Sequence, residues 1–254
     1  MLLTPIACAA ILARHWHWSE LATLAAAFAA LAAKDPMVVL LRQRFVWKQR
    51  NPETANAARW FAGWMLLLLG SGLVLLASWP FTAIVGMGLG VVLYSVLAIA
   101  VNVKNRQRST LFQIASAAAL TSSSLATALS ATGTIPRWCW WLWMLLAMQA
   151  TAGILVVHAR LDARIALRSA APASLQFRRA AQVALGVMAC AAIAAGILRR
   201  GWIALALVVA IVGFWTDLRG QLDSTALQMP LKRVGQRALA LSSLFSALLI
   251  LGLW

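Results

Sequence analysis

The sequence predicts an all-α, polytopic membrane bundle of about nine transmembrane helices, and three observations predict it. Hydrophobic residues make up 63% of the chain and charged residues only 11%, against roughly a quarter charged in soluble domains. The apolar residues are gathered into repeated runs that suit the ~30 Å hydrocarbon core of a bilayer. Lysines and arginines fall on alternate connections between those runs. With a mean hydropathy of +0.83, no soluble core could hide this surface. The 254 residues therefore read as a single integral membrane domain, residues 1–254.

The amino-terminal segments are the weakest. Residues 2–12 are apolar but short, and they precede Arg14-His15-Trp16-His17-Trp18, whose amphipathic rings suit the headgroup region. No basic stretch comes before them and Cys8 has a poor lipoprotein context, which argues against a cleaved signal. Residues 21–33 form a second short run that stops at Lys34-Asp35-Pro36. A helix from Trp18 to Ala33 rises only ~24 Å. These two segments therefore either span marginally or form a hairpin. Residues 36–48 mix Val38, Val39, Leu41, Phe45 and Trp47 with Arg42, Arg44 and Lys48. That run reads as an interfacial helix or re-entrant cap, with a solvated loop as the alternative.

Stronger segments follow at residues 60–78, 81–101, 110–131, 138–157, 180–198, 202–215 and 238–254. Counting the two amino-terminal runs as first and second, the fourth segment (residues 81–101) contains Gly86-Met87-Gly88-Leu89-Gly90. A dinucleotide fingerprint needs a preceding strand and a differently spaced third glycine, so these glycines are expected to allow close helix contact. In the fifth, Ser109, Gln113, Ser116, Ser123, Thr127, Ser130 and Thr134 recur at helical spacing and share one face. Ser116, Ser123, Thr127 and Ser130, with Gln149 of the sixth, are candidate cavity-lining residues. The simpler alternative is that such hydroxyls bond backbone carbonyls and neighbouring helices.

Of the 22 lysines and arginines, eighteen lie on alternate connections. They are Lys34, Arg42, Arg44, Lys48, Arg50 and Arg59; Lys104, Arg106 and Arg108; Arg160, Arg164, Arg168, Arg178 and Arg179; and Arg219, Lys232, Arg233 and Arg237. Arg14, Arg137, Arg199 and Arg200 stand on the other side. The positive-inside rule then places the amino terminus in the cytoplasm and the carboxy terminus outside. A net charge of +16 would suggest nucleic acid in a soluble chain. In short loops beside apolar helices it sets topology instead, so no nucleic-acid partner is expected.

Residues that usually carry chemistry are sparse. The acids are Glu20, Asp35, Glu53, Asp162, Asp217 and Asp223, with no dense cluster of the kind that holds Mg²⁺ beside a diphosphate. His15 and His17 lie at an interface, and His158 is isolated. Cys8, Cys139 and Cys190 form neither a disulfide framework nor a Cys-x-x-Cys site. No metal site, no cofactor and no Ser-His-Asp grouping is predicted.

Lys34-Asp35-Pro36, Arg42-Gln43-Arg44-Phe45-Val46-Trp47, Pro52-Glu53-Thr54, Lys104-Asn105-Arg106-Gln107-Arg108-Ser109 and His158-Ala159-Arg160-Leu161-Asp162-Ala163-Arg164 together resemble the YwiC-like group of bacterial membrane proteins. That group opens on an Arg-Glu-His-Gly-Ala-Trp stretch absent here, so the start is either truncated or built differently. More distantly, the chain is similar to the UbiA superfamily of intramembrane prenyltransferases, which implies nine helices and a cytoplasm-facing site. Tyr94-Ser95, the basic run from Lys104 to Arg108 and the helix ending at Gly133 carry this similarity. That superfamily's two aspartate-rich motifs are reduced here to Asp35 with Glu53, and to His158 with Asp162.

The leading expectation is a UbiA-like scaffold that binds an anionic lipid or isoprenoid head group at a basic cytoplasmic face, in the inner membrane of a bacterium. Arg42, Arg44, Lys104, Arg106, Arg108, Arg160 and Arg164 would supply the field. One alternative is an active prenyltransferase with an altered site, in which Asp162 and His158 act with Tyr94 and Asn102. Another is a small-solute transporter, against which stands the lack of an acidic residue in the middle of any span. Whether the chain turns over a substrate and which proteins it meets are left open.

Overall fold

The computed structural model describes residues 2–47, 53–103, 109–169 and 175–254, and among these the regular structure is entirely helical. The helices are α1 (Leu3–Ala13), α2 (Trp18–Arg42), α3 (Glu53–Ser78), α4 (Phe81–Val103), α5 (Thr110–Thr121), α6 (Ser123–Thr132), α7 (Arg137–Ser169), α8 (Gln176–Ile197), α9 (Gly201–Gly220), α10 (Ser224–Leu227) and α11 (Leu231–Leu253). Eight stretches among the described residues are long and apolar enough to cross a membrane, with α5 and α6 counted as one. At 11 residues, α1 rises only ~16 Å and is too short to cross alone.

The chain forms two compact units. One holds Met1–Cys8, Ile114–Thr121 and Trp140–Trp254; the other holds Ala9–Gln113 and Ser122–Cys139.

In the second unit, α2 corrects the expectation of a short segment followed by a separate interfacial helix. It runs unbroken for 25 residues, ~37 Å, and only then loosens into a π turn at Gln43–Trp47. Lys34-Asp35-Pro36 does not stop it. Lys34 and Asp35 pair at 3.7 Å with side chains 40% and 85% exposed at the surface of the unit, so neither charge is packed against a neighbouring helix without a partner. Pro36 removes one backbone donor, which a helix rich in alanine and leucine tolerates inside a membrane. The first turn is fixed by a reciprocal cap: the Ser19 N–H donates to His17 Nδ1 and the His17 N–H donates to Glu20 Oε1 at 3.1 Å. At the other end, Thr54 Oγ1 donates to Gln43 Oε1 and ties the start of α3 to the end of α2.

The polar fifth segment breaks at Ser122, between α5 and α6. In the first unit, Thr121 Oγ1 donates to the Ala117 and Ala118 carbonyls at 3.0 Å each, and Trp143 Nε1 donates to the same Ala118 oxygen at 3.0 Å. That oxygen is the one a continuous helix would offer to the Ser122 N–H. Side-chain donors that load a backbone carbonyl in this way bend helices. In the second unit, α6 ends on Gly133, whose N–H donates to the Leu129 carbonyl at 2.8 Å and whose φ of 71° then turns the chain out of the helix.

Within the first unit, α9 and α11 approach through glycines. A Cβ added to Gly213 would lie 2.7 Å from Leu241 Cδ2, and one added to Gly252 would lie 2.7 Å from Ile203 Cγ1. Gly86, Gly88 and Gly90 make no such contact, because a Cβ at any of them would meet nothing within 4 Å. Close helix packing therefore occurs at the carboxy-terminal pair of helices and not at the glycine run of α4. From Trp140 onward the first unit also holds the longest helix, α7, whose 33 residues rise ~50 Å. Its last turns extend past the length a bilayer core requires.

Candidate functional site

At the carboxy-terminal end of α7, Arg160 and Arg164 lie one turn apart and reach the carbonyls that close α10. Arg160 Nη2 donates to the Ala226 oxygen at 2.7 Å. Arg164 Nε donates to the Leu227 oxygen at 2.6 Å, and its Nη2 donates to the Met229 oxygen. Arg164 thus has both ends of its Nε and Nη2 edge on backbone acceptors. Arg160 uses only one end, since its Nε is buried with no hydrogen-bond partner among the described residues.

Arg164, Arg237 and Asp217 act electrostatically on Arg160, so three guanidinium groups share this corner with one carboxylate. Nearby, Gln221 Nε2 donates to the Val156 carbonyl at 3.2 Å, and His158 stacks on Phe177 with ring centroids 5.0 Å apart. These contacts bring the end of α7, the start of α8, the end of α9 and α10 to one end of the unit. Unpaired guanidinium hydrogens of this kind suit an oxyanion, which can take two at once.

The second unit holds a different polar cluster, built of hydroxyls between α2 and α6. Ser19 Oγ donates to the Ser130 carbonyl at 2.9 Å. Ser130 Oγ bonds Thr23 Oγ1 at 2.5 Å and accepts from Trp79 Nε1 at 2.9 Å. His17 Nδ1 lies 2.9 Å from Ser19 Oγ. Ser19, Thr23, Thr127 and Ser130 are all buried. Glu20 is only 2% exposed, and its Oε2 has no hydrogen-bond partner. These bonds bring the start of α2, the residue after α3 and the end of α6 to one end of the unit.

The residues singled out from the sequence are distributed as follows. His158 and Asp162 lie one turn apart on α7 in the first unit; Tyr94 and Asn102 belong to α4 in the second. Tyr94 stacks on Phe112 at 6.5 Å. Arg42 ends α2, and Arg44 in the π turn places its guanidinium carbon 5.7 Å from the Phe45 ring centroid. Lys104, Arg106 and Arg108 lie outside the described residues. Ser123, Thr127 and Ser130 are buried in α6, Gln149 is buried in α7, and Ser116 is half-buried in α5. Among the described residues, no three His, Cys, Asp or Glu side chains gather to hold a metal ion.

Four participants escaped the sequence reading: Glu20, Trp79, Arg237 and the α10 carbonyls. Glu20 had a signal, since a glutamate three residues after His17 completes the capping pattern. Main-chain acceptors such as those of Ala226 and Leu227 leave no side-chain signature at all.

Among the described residues, eight apolar stretches long enough to cross a membrane define a multi-pass membrane protein. Within that class the chain belongs to the YwiC-like family, whose model, described as YwiC-like protein, matches residues 1–128. No curated protein and no solved structure matches the chain.

Proposed function

We propose that the protein binds the anionic head group of a lipid or isoprenoid at the arginine corner of its first unit. The observation that carries this reading is the Nε of Arg160, buried with no hydrogen-bond partner among the described residues, in the field of Arg164, Arg237 and Asp217. A phosphate or diphosphate oxygen completes that edge by charge-assisted hydrogen bonds and needs no bridging metal. In this reading the scaffold is UbiA-like, with a head-group site in place of the aspartate-rich metal sites of that superfamily.

The test is binding of farnesyl diphosphate to the full chain in nanodiscs, with and without a chelator. Binding is expected to weaken with salt, to ignore the chelator, and to fall ~10-fold or more in Arg160→Ala, the loss of about 1.5–3 kcal/mol that one hydrogen bond to a charged group carries. Equal affinity of the native chain and Arg160→Ala would refute the site. Chelator-sensitive turnover abolished by Asp162→Ala would instead establish an active prenyltransferase.

We infer also that the arginine corner faces the cytoplasm of a bacterial inner membrane. Support comes from the bias of basic residues toward alternate connections. Reporter fusions in the connections holding Arg106, Arg164 and Arg233 are expected to read cytoplasmic, and one after Trp254 to read external. A cytoplasmic reading after Trp254 would reverse the assignment.

A further inference from the structure

Resting on the head-group reading, the two arginines of α7 point to a second role for the same corner. We propose that Arg160 and Arg164 form a latch on α10, with Arg164 as its fixed anchor and Arg160 as the half that an oxyanion opens. The argument starts from one edge of the guanidinium, where the Nε and Nη2 hydrogens project side by side and can grip two oxygens. On Arg164 both ends of that edge are occupied, by the Leu227 and Met229 carbonyls. On Arg160 the Nη2 end holds the Ala226 carbonyl at 2.7 Å while the Nε end is buried and has no partner among the described residues.

An oxyanion drawn to the empty Nε gains its second bond by taking Nη2 as well. It competes there with Ala226, a neutral acceptor that a phosphate oxygen outcompetes because donor and acceptor are then both charged. The short helix Ser224–Leu227 is then left on Arg164 alone. Two further backbone bonds frame its end. The Leu227 N–H bonds the Asp223 carbonyl at 3.1 Å, and the Met229 N–H reaches the Ala226 carbonyl at 3.4 Å, a long bond that loses its acceptor's position when Ala226 moves. Since α10 links α9 to α11, occupancy of the head-group site is reported to the link between the last two spans.

The experiment is hydrogen exchange read by mass spectrometry on the full chain in phosphatidylcholine nanodiscs. Inorganic pyrophosphate serves as a free anion, against sodium chloride at matched ionic strength. A parallel sample in phosphatidylglycerol nanodiscs offers the same phosphate chemistry as a lipid head group. Anion binding is followed separately by tryptophan fluorescence.

The expected result is exchange of the Leu227 and Met229 amides ~10-fold faster with the anion. A response to pyrophosphate alone identifies a soluble ligand, and a response in phosphatidylglycerol alone a lipid. Arg160→Lys, which keeps the charge but has no two-point edge, should exchange fast without any anion and respond to none. Arg164→Gln should exchange faster at rest and still respond. Binding of the anion with unchanged exchange at these amides overturns the latch and leaves the head-group site standing. Absence of anion binding, together with fast exchange in Arg160→Lys, overturns the head-group reading and removes the latch's trigger.

Discussion

Replacement of Ser130 by alanine is expected to lower the stability of the second unit by about 1–3 kcal/mol, the cost of stranding buried hydrogen-bond partners. Ser130 Oγ accepts from Trp79 Nε1 and shares a hydrogen bond with Thr23 Oγ1. It therefore joins the end of α3, the first turns of α2 and the end of α6. Removing one oxygen leaves an indole N–H without an acceptor and a buried threonine hydroxyl with only the Ser19 carbonyl. Single interhelical hydrogen bonds in membranes contribute about 0.6 kcal/mol on average, so a serine that serves two partners should stand out. The control is Ser169→Ala, whose exposed hydroxyl donates only to Ile165 of its own helix at 2.8 Å. Thermal unfolding in detergent, followed by tryptophan fluorescence, separates the two. If both variants melt with the native chain, the hydroxyl cluster does not hold these helix ends.

How much of this was legible in the sequence differs by scale. The spans were, because a bilayer imposes a length and an apolar composition that no short loop satisfies. The extent of α2 was not. Lys34-Asp35-Pro36 carries two charges and a helix breaker, yet a helix that leaves both charges exposed continues past it to Arg42.

The fifth segment shows a similar division. Of its hydroxyl stripe, Ser123, Thr127 and Ser130 are buried in α6, whereas Ser109 is exposed and Gln113 and Ser116 are half-buried. Just before the break at Ser122, Trp143 engages the Ala118 carbonyl from 25 residues away, and no local pattern announces that contact. At the arginine corner the donors were visible as Arg160 and Arg164, while their acceptors are main-chain carbonyls common to every residue. Glu20 was visible but unremarked, since six acids spread along the chain gave no reason to prefer the one that folding buries.

The glycines supply the sharpest contrast between pattern and packing, and alanine substitution reads it directly. Gly252→Ala is expected to destabilise the first unit by about 1–3 kcal/mol, the range for overpacking a close contact. The new Cβ would sit 2.7 Å from Ile203 Cγ1, 3.0 Å from the Ile203 backbone nitrogen and 3.2 Å from Trp202 Cβ. The isoleucine side chain can rotate away, but the backbone nitrogen cannot move without shifting the start of α9, so relief requires the two helices to part. Gly88→Ala carries no such cost, because nothing lies within 4 Å of its Cβ position. There the gain in helix propensity, up to about 1 kcal/mol, leaves the variant as stable as the native chain or slightly more so. Paired melting curves of the two variants decide the matter. A Gly88→Ala that unfolds early beside a Gly252→Ala that does not would mean that the glycine run of α4 is the true packing seam, and that α9 and α11 are held apart from the contact at Ile203.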